Sequence, residues 1–137
     1  MPIVFDTETI KIINIFETIS LVSVKDCIIN EDRIYFLVEE GGLKKIRENG
    51  SVLKNLEKML NKKILIFEYS KDISTFLKKC VKGIKEIKIR NEKEETIVEI
   101  GVESSFKSLA IGKDGKNIKA LRQFLKRNYN INNLVIR

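Results

Sequence analysis

The chain of 137 residues carries 26 Lys and Arg against 19 Asp and Glu, with two cysteines, one proline and no histidine or tryptophan. Without an imidazole there is no Ser/His or Cys/His nucleophile pair and no His-ligated metal, two cysteines lacking CxxC spacing supply neither a disulfide framework nor a zinc site, and no apolar run approaches the ~20 residues that cross a bilayer. The net charge of +7 is unevenly placed: residues 104–137 hold eight bases and the single acid Asp114, whereas residues 1–103 hold 18 of each sign.

The N-terminus, Met-Pro-Ile-Val-Phe-Asp-Thr-Glu, lacks the basic region of a signal peptide, which leads us to expect a cytoplasmic protein. Asp6 or Thr7 caps a first helix, along which Ile12, Ile15, Phe16 and Ile19 recur at helical spacing. Residues 21–30, with Val22, Val24, Ile28 and Ile29, read as a strand, Asn30-Glu31-Asp32 as a turn, and residues 33–39 as a second strand rich in aromatic and β-branched residues. Gly41-Gly42 breaks that strand. A short helix over 43–48 and a longer one over 51–60, with Leu53, Leu56 and Leu60 inward, lead to a third strand over 63–69.

The pattern then restarts. Asp72 caps a helix bearing Leu77, Cys80, Val81 and Ile84, each 65 residues beyond its counterpart in the first apolar stripe. Strands over 85–90 and 96–102 flank a charged turn at 91–95. A helix over 104–111, a loop at Gly112-Lys113-Asp114-Gly115, a helix to about Asn128 and a strand over 134–137 complete the chain. The same offset of 65 relates Ile46 to Ile111, Gly50 to Gly115, Leu53 to Ile118, Lys54 to Lys119, Leu56 to Leu121 and Leu60 to Leu125. An α+β fold with an internal repeat follows, each unit ordered α-β-β-α-α-β.

The charge excess surrounds the glycine loop, which favours a polyanion there. Gly112 and Gly115 can take φ > 0 and admit a foreign backbone without a Cβ in the way, and the helix beyond presents unpaired N–H groups to a phosphate. Lys113 offers a point charge. Asp114 weakens the local field and is read chiefly as a cap of the next helix. Lys116 and Lys119 lie in the first turns of that helix, while Arg122 and Lys126 continue its basic stripe away from the loop. Asn117 either bonds phosphate or serves the helix start. Ile111, Ile118 and Leu121 are core residues first. Helix–GxxG–helix is the pattern of a KH domain, whose loop clamps a short run of single-stranded nucleotide backbone.

On these residues the chain resembles KH domains of type II, the bacterial and archaeal type, and in particular the archaeal NusA-like transcription termination family. Leu109-Ala110-Ile111-Gly112-Lys113-Asp114-Gly115-Lys116-Asn117-Ile118-Lys119 carries the resemblance, together with Ile131-Asn132-Asn133-Leu134-Val135-Ile136 and, closing the first unit, Lys62-Lys63-Ile64 and Phe67-Glu68-Tyr69-Ser70. It implies two tandem type II KH domains, 1–70 and 71–137, each with a three-stranded sheet covered by helices. It also implies single-stranded RNA as ligand, RNA polymerase as partner in termination or antitermination, a monomer, no membrane association, no enzymatic activity, no metal and no cofactor. The RNA-binding set would be Gly112, Lys113, Asp114, Gly115, Lys116, Asn117, Lys119 and Arg122, with Ile111 and Ile118 as an apolar groove floor. Ribosome assembly, RNA decay and a non-binding scaffold with a vestigial loop stay open beside this reading. The first unit departs from the pattern: Ile46-Arg47-Glu48-Asn49-Gly50 puts Arg47 at the first glycine and Glu48 at a cation. An acid at the mouth of a phosphate loop repels the ligand, so weak RNA binding is expected of that degenerate loop.

Overall fold

Helix α1 (Thr7–Ser20) starts where the Asp6 carboxylate accepts from the Thr9 amide at 2.8 Å, and it ends on Leu21 in a left-handed cap with φ 60°. The computed structural model describes residues 5–137, which divide into two units, one ending at Lys71 and the other Asp72–Arg137. In the first unit α1 is followed by β1 (Val24–Ile29), β2 (Arg33–Val38), α2 (Gly42–Glu48), α3 (Ser51–Leu60) and β3 (Lys63–Glu68). β1 pairs antiparallel with β2 through the tight turn after Asn30, and β2 pairs parallel with β3. The parallel pairing needs a crossover, and α2 and α3 supply it. Ile34, Phe36 and Val38 alternate along β2 onto one face of the sheet. They are fully buried, and Phe16 of α1 stacks on Phe36 with ring centroids 4.1 Å apart.

The second unit repeats this order with α4 (Ile73–Cys80), β4 (Ile84–Glu92), β5 (Glu95–Val102), α5 (Ser104–Ile111), a 3-10 turn (Lys113–Gly115), α6 (Lys116–Tyr129) and β6 (Asn133–Ile136). Asp72 caps α4 through the Thr75 amide and hydroxyl, at 3.0 and 2.7 Å. β5 is central, antiparallel to β4 and parallel to β6. Val98, Ile100 and Val102 of β5, Leu134 of β6 and Leu121, Phe124 and Leu125 of α6 are all buried. Among the described residues no helix is long and apolar enough to cross a membrane.

Several expectations change in detail. The two units are not related by one constant offset. Phe16 and Phe76 are both completely buried and lie 60 residues apart, and the register breaks of the two hairpins, Val24/Asp26 and Ile84/Glu86, share that spacing. Helices α3 and α6 start 65 apart, as expected, and β3 and β6 start 70 apart. The stripe Leu77-Cys80-Val81-Ile84 is therefore not a helical one. α4 stops at Cys80, Val81 is extended, and Ile84 already belongs to β4. The turn expected over 91–95 contracts to Lys93-Glu94, both at positive φ (48° and 68°), so that Glu92 pairs with Glu95. In α3 the fully buried residues are Val52 and Leu56, with Leu53 and Leu60 only partly covered.

Candidate nucleic-acid interface

The loop between α5 and α6 takes four residues, 112–115, and its backbone explains its composition. Gly112 closes α5 at φ 78°, ψ 170°, its N–H donating to the Ser108 carbonyl at 2.9 Å. That region of conformational space is open essentially to glycine alone. Asp114 follows at φ 56°, ψ 25° and Gly115 at φ 71°, ψ 17°, the Gly115 N–H returning to the Gly112 carbonyl at 3.1 Å. α6 begins at Lys116 with Gly115 as its N-cap residue and with no side-chain cap bond. The expected cap by Asp114 is thus absent. The residue sits in the left-handed turn one position too early, where its carboxylate is exposed.

The two glycines meet different surroundings. A Cβ on Gly112 would lie 2.7 Å from Cγ and 2.9 Å from Cβ of Asn117, closer than packed atoms allow, whereas one on Gly115 would meet nothing nearer than 3.8 Å. Asn117 does not simply serve the helix start. Its Nδ2 donates to the Leu109 carbonyl at 3.2 Å, tying the first turn of α6 to the last turn of α5.

The remaining candidate residues differ in exposure. Lys113 and Lys119 are exposed and Lys116 half-buried, all within one turn of the loop. Arg122 is exposed one turn further on, with its Nε donating to the Leu134 carbonyl of β6 at 3.1 Å, so part of its guanidinium anchors helix to strand. Ile118 is buried at 9% exposure, while Ile111 is 39% and Leu109 59% exposed. Leu109 and Ile111 each expose apolar surface in the last turn of α5, two residues apart and so on different faces of the helix. Sequence reasoning did not assign Leu109 to the site. The only signal for it was its position in the motif two residues before Ile111, since apolar residues at a helix end are ordinarily core.

The corresponding turn of the first unit is built differently. α2 ends at Glu48, Asn49 has φ −115°, and Gly50 takes an ordinary helical φ of −62° with nothing within 4 Å of an added Cβ. The Asn49 N–H bonds the Ile46 carbonyl at 3.2 Å and the Val52 N–H bonds the Asn49 carbonyl at 3.1 Å. No residue from Arg47 to Gly50 has positive φ, so this connection lacks the left-handed turn at 112–115.

Residues 73–135, which include the loop, match the family described as NusA-like second KH domain. The chain is similar to the "Probable transcription termination protein NusA" of Thermoplasma acidophilum, with 35% identity covering 98% of this chain and 96% of that one. A protein of the same description from Methanocaldococcus jannaschii is 29% identical, covering 95% and 73% of the two chains. The crystal structure of APE1850 aligns with a TM-score of 0.77 at 34% identity, over 97% of this chain and 100% of that one.

Proposed function

Because the chain belongs to the archaeal NusA-like family, we propose that it is a single-stranded RNA-binding protein acting with RNA polymerase in transcription termination or antitermination. The observation that carries the RNA reading is the turn at 112–115, with Gly112 at φ 78°, ψ 170°, set in the only stretch of the chain that holds the excess positive charge. Left-handed turns of this kind make concave nests of main-chain N–H groups that accept anions.

In this reading both units are type II KH domains in tandem, within 1–70 and 71–137, and the second does the gripping. Gly112 and Gly115 allow the sugar–phosphate strand to approach, and Lys113, Lys116 and Lys119 neutralise successive phosphates. Arg122 adds charge from its anchored position. Asp114 trims the field at the loop tip. Ile111, with what little Ile118 exposes, gives unstacked bases an apolar surface. β5 carries no aromatic side chain, so stacking of the kind used by RRM and OB proteins contributes little. The first unit, with Glu48 at its loop and no positive φ there, binds RNA weakly or orients the second. The protein works as a cytoplasmic monomer, off the membrane, with no catalytic role and no cofactor.

Selection of bound RNA from a random pool, with Lys113→Asp as control, tests the ligand. Recovery of enriched single-stranded sequences by the wild type and none by the variant is expected; equal recovery by both contradicts the assignment. Affinity purification from cells tests the partner: RNA polymerase subunits are expected, and ribosomal subunits in their place would move the function to ribosome assembly.

A further inference from the structure

We infer that Asn117 is a positioning residue that sets the shape of the 112–115 loop, and not a ligand of the RNA backbone. The last carbonyls of a helix have no partner within it. At the end of α5, the Ser108 carbonyl is taken by the Gly112 N–H and the Leu109 carbonyl by Asn117 Nδ2, from a side chain eight residues on. The same carboxamide occupies the space that a Cβ on Gly112 would need, 2.7 Å from the position of that atom. One neutral side chain therefore bonds the helix before the loop, belongs to the helix after it and presses on the backbone between them.

A clamp made of main-chain N–H groups depends on those groups being aimed before the ligand arrives, because a loop that must be ordered on binding loses affinity to that ordering. Asn117 supplies the order. Gly112 is then glycine for two reasons, its backbone angles and the amide packed against it, and the second reason exists only while Asn117 is present. The inference rests on the loop being an RNA clamp, yet what it says about loop shape is readable without RNA.

The test uses the full chain in two arms. In the first, amide hydrogen exchange at Gly112 and Gly115 is followed without RNA in the wild type, in Asn117→Ala, in Asn117→Leu, which keeps the volume but lacks the donor, and in Lys113→Asp. In the second, a 12-nucleotide oligouridylate is titrated onto the same proteins. Both Asn117 variants are expected to exchange about five-fold faster at these two amides, the worth of one neutral hydrogen bond, and Lys113→Asp is expected to exchange like the wild type. RNA affinity of the Asn117 variants should fall by about the same factor with the salt slope unchanged, since no charge is lost. Weaker RNA binding with unchanged exchange would make Asn117 a direct ligand and overturn the inference, as would faster exchange with undiminished affinity. A wild type that ignored the oligonucleotide would refute the RNA reading instead, and the exchange arm alone would then decide the inference.

Discussion

Gly112 and Gly115 are the same residue under two different constraints. Within the fold, only the backbone angle constrains Gly115, so Gly115→Ala should cost about 1–2 kcal/mol of stability, the penalty of the left-handed conformation. Gly112→Ala adds a collision with Asn117 at 2.7 Å and should cost clearly more. Urea midpoints of the two variants give the ranking, and equal midpoints would contradict it. Asp114 offers a third case. As it caps nothing, Asp114→Asn should leave the melting temperature unchanged. It should also tighten RNA about two- to five-fold at low salt, the value of one like charge removed at a few ångströms in high dielectric, with the gain fading at high salt. The tight turn at Gly112 and Gly115 was legible in the sequence, because two glycines three apart between helical stripes call for positive φ. The role of Asn117 was not, because the atom it bonds belongs to a different helix. Nor was the failure of Asp114 as a cap, which depends on α6 starting one residue later.

At the scale of elements, the caps make a pH prediction. The Thr9 amide, followed by the Thr9 hydroxyl, holds the Asp6 carboxyl below its ordinary 3.8, and the Thr75 hydroxyl, followed by the Thr75 amide, does the same for Asp72. A carboxyl whose folded pKa is depressed stabilises the fold above the unfolded value and loses that contribution as pH falls through the folded one. Asp72→Ala should therefore melt below the wild type at neutral pH, with the gap narrowing as pH drops under 3.8. A gap that held constant through that range would show that the charge contributes nothing. In the core of the first unit, Phe16→Ala removes a fully buried ring stacked on Phe36 and should cost about 3–5 kcal/mol by urea denaturation. α5 and α3 were read from sequence to the residue, since Ser104 and Gly112 bracket the one and Gly50-Ser51 and Asn61 the other. The first helices of the units were aligned wrongly. Val81 and Ile84 continue the spacing of Leu77 and Cys80, and apolar periodicity does not tell a helix from the buried extended chain that follows it. The β4–β5 hairpin was legible but its turn was drawn too wide, at 91–95, because the positive φ at Lys93 and Glu94 is taken up by residues without the Asn-Gly signature.

For the molecule as a whole, the asymmetry of charge is the governing feature: a neutral segment of 103 residues joined to a strongly basic one of 34, in which Lys113, Lys116 and Lys119 stand at the glycine turn while Arg137 pairs with Glu86 and Glu99. Such a field raises the encounter rate with a polyanion and makes the affinity depend on salt. In the first unit, Glu48→Lys should alter RNA affinity by less than about two-fold, because charge alone does not create the missing left-handed turn; a large gain there would transfer the clamp to that unit. The central claim is that the loop of the second unit grips the RNA backbone, and the most direct test is a salt-series titration of single-stranded RNA against the wild type and Lys113→Asp. That one substitution turns the loop into Gly-Asp-Asp-Gly while leaving both glycines in place. With about three or four phosphates engaged, log K should fall against log salt with a slope near −2 to −3 for the wild type, and the variant should lose most of its binding at unchanged melting temperature. A slope near zero, or a variant that binds as well as the wild type, would contradict the account.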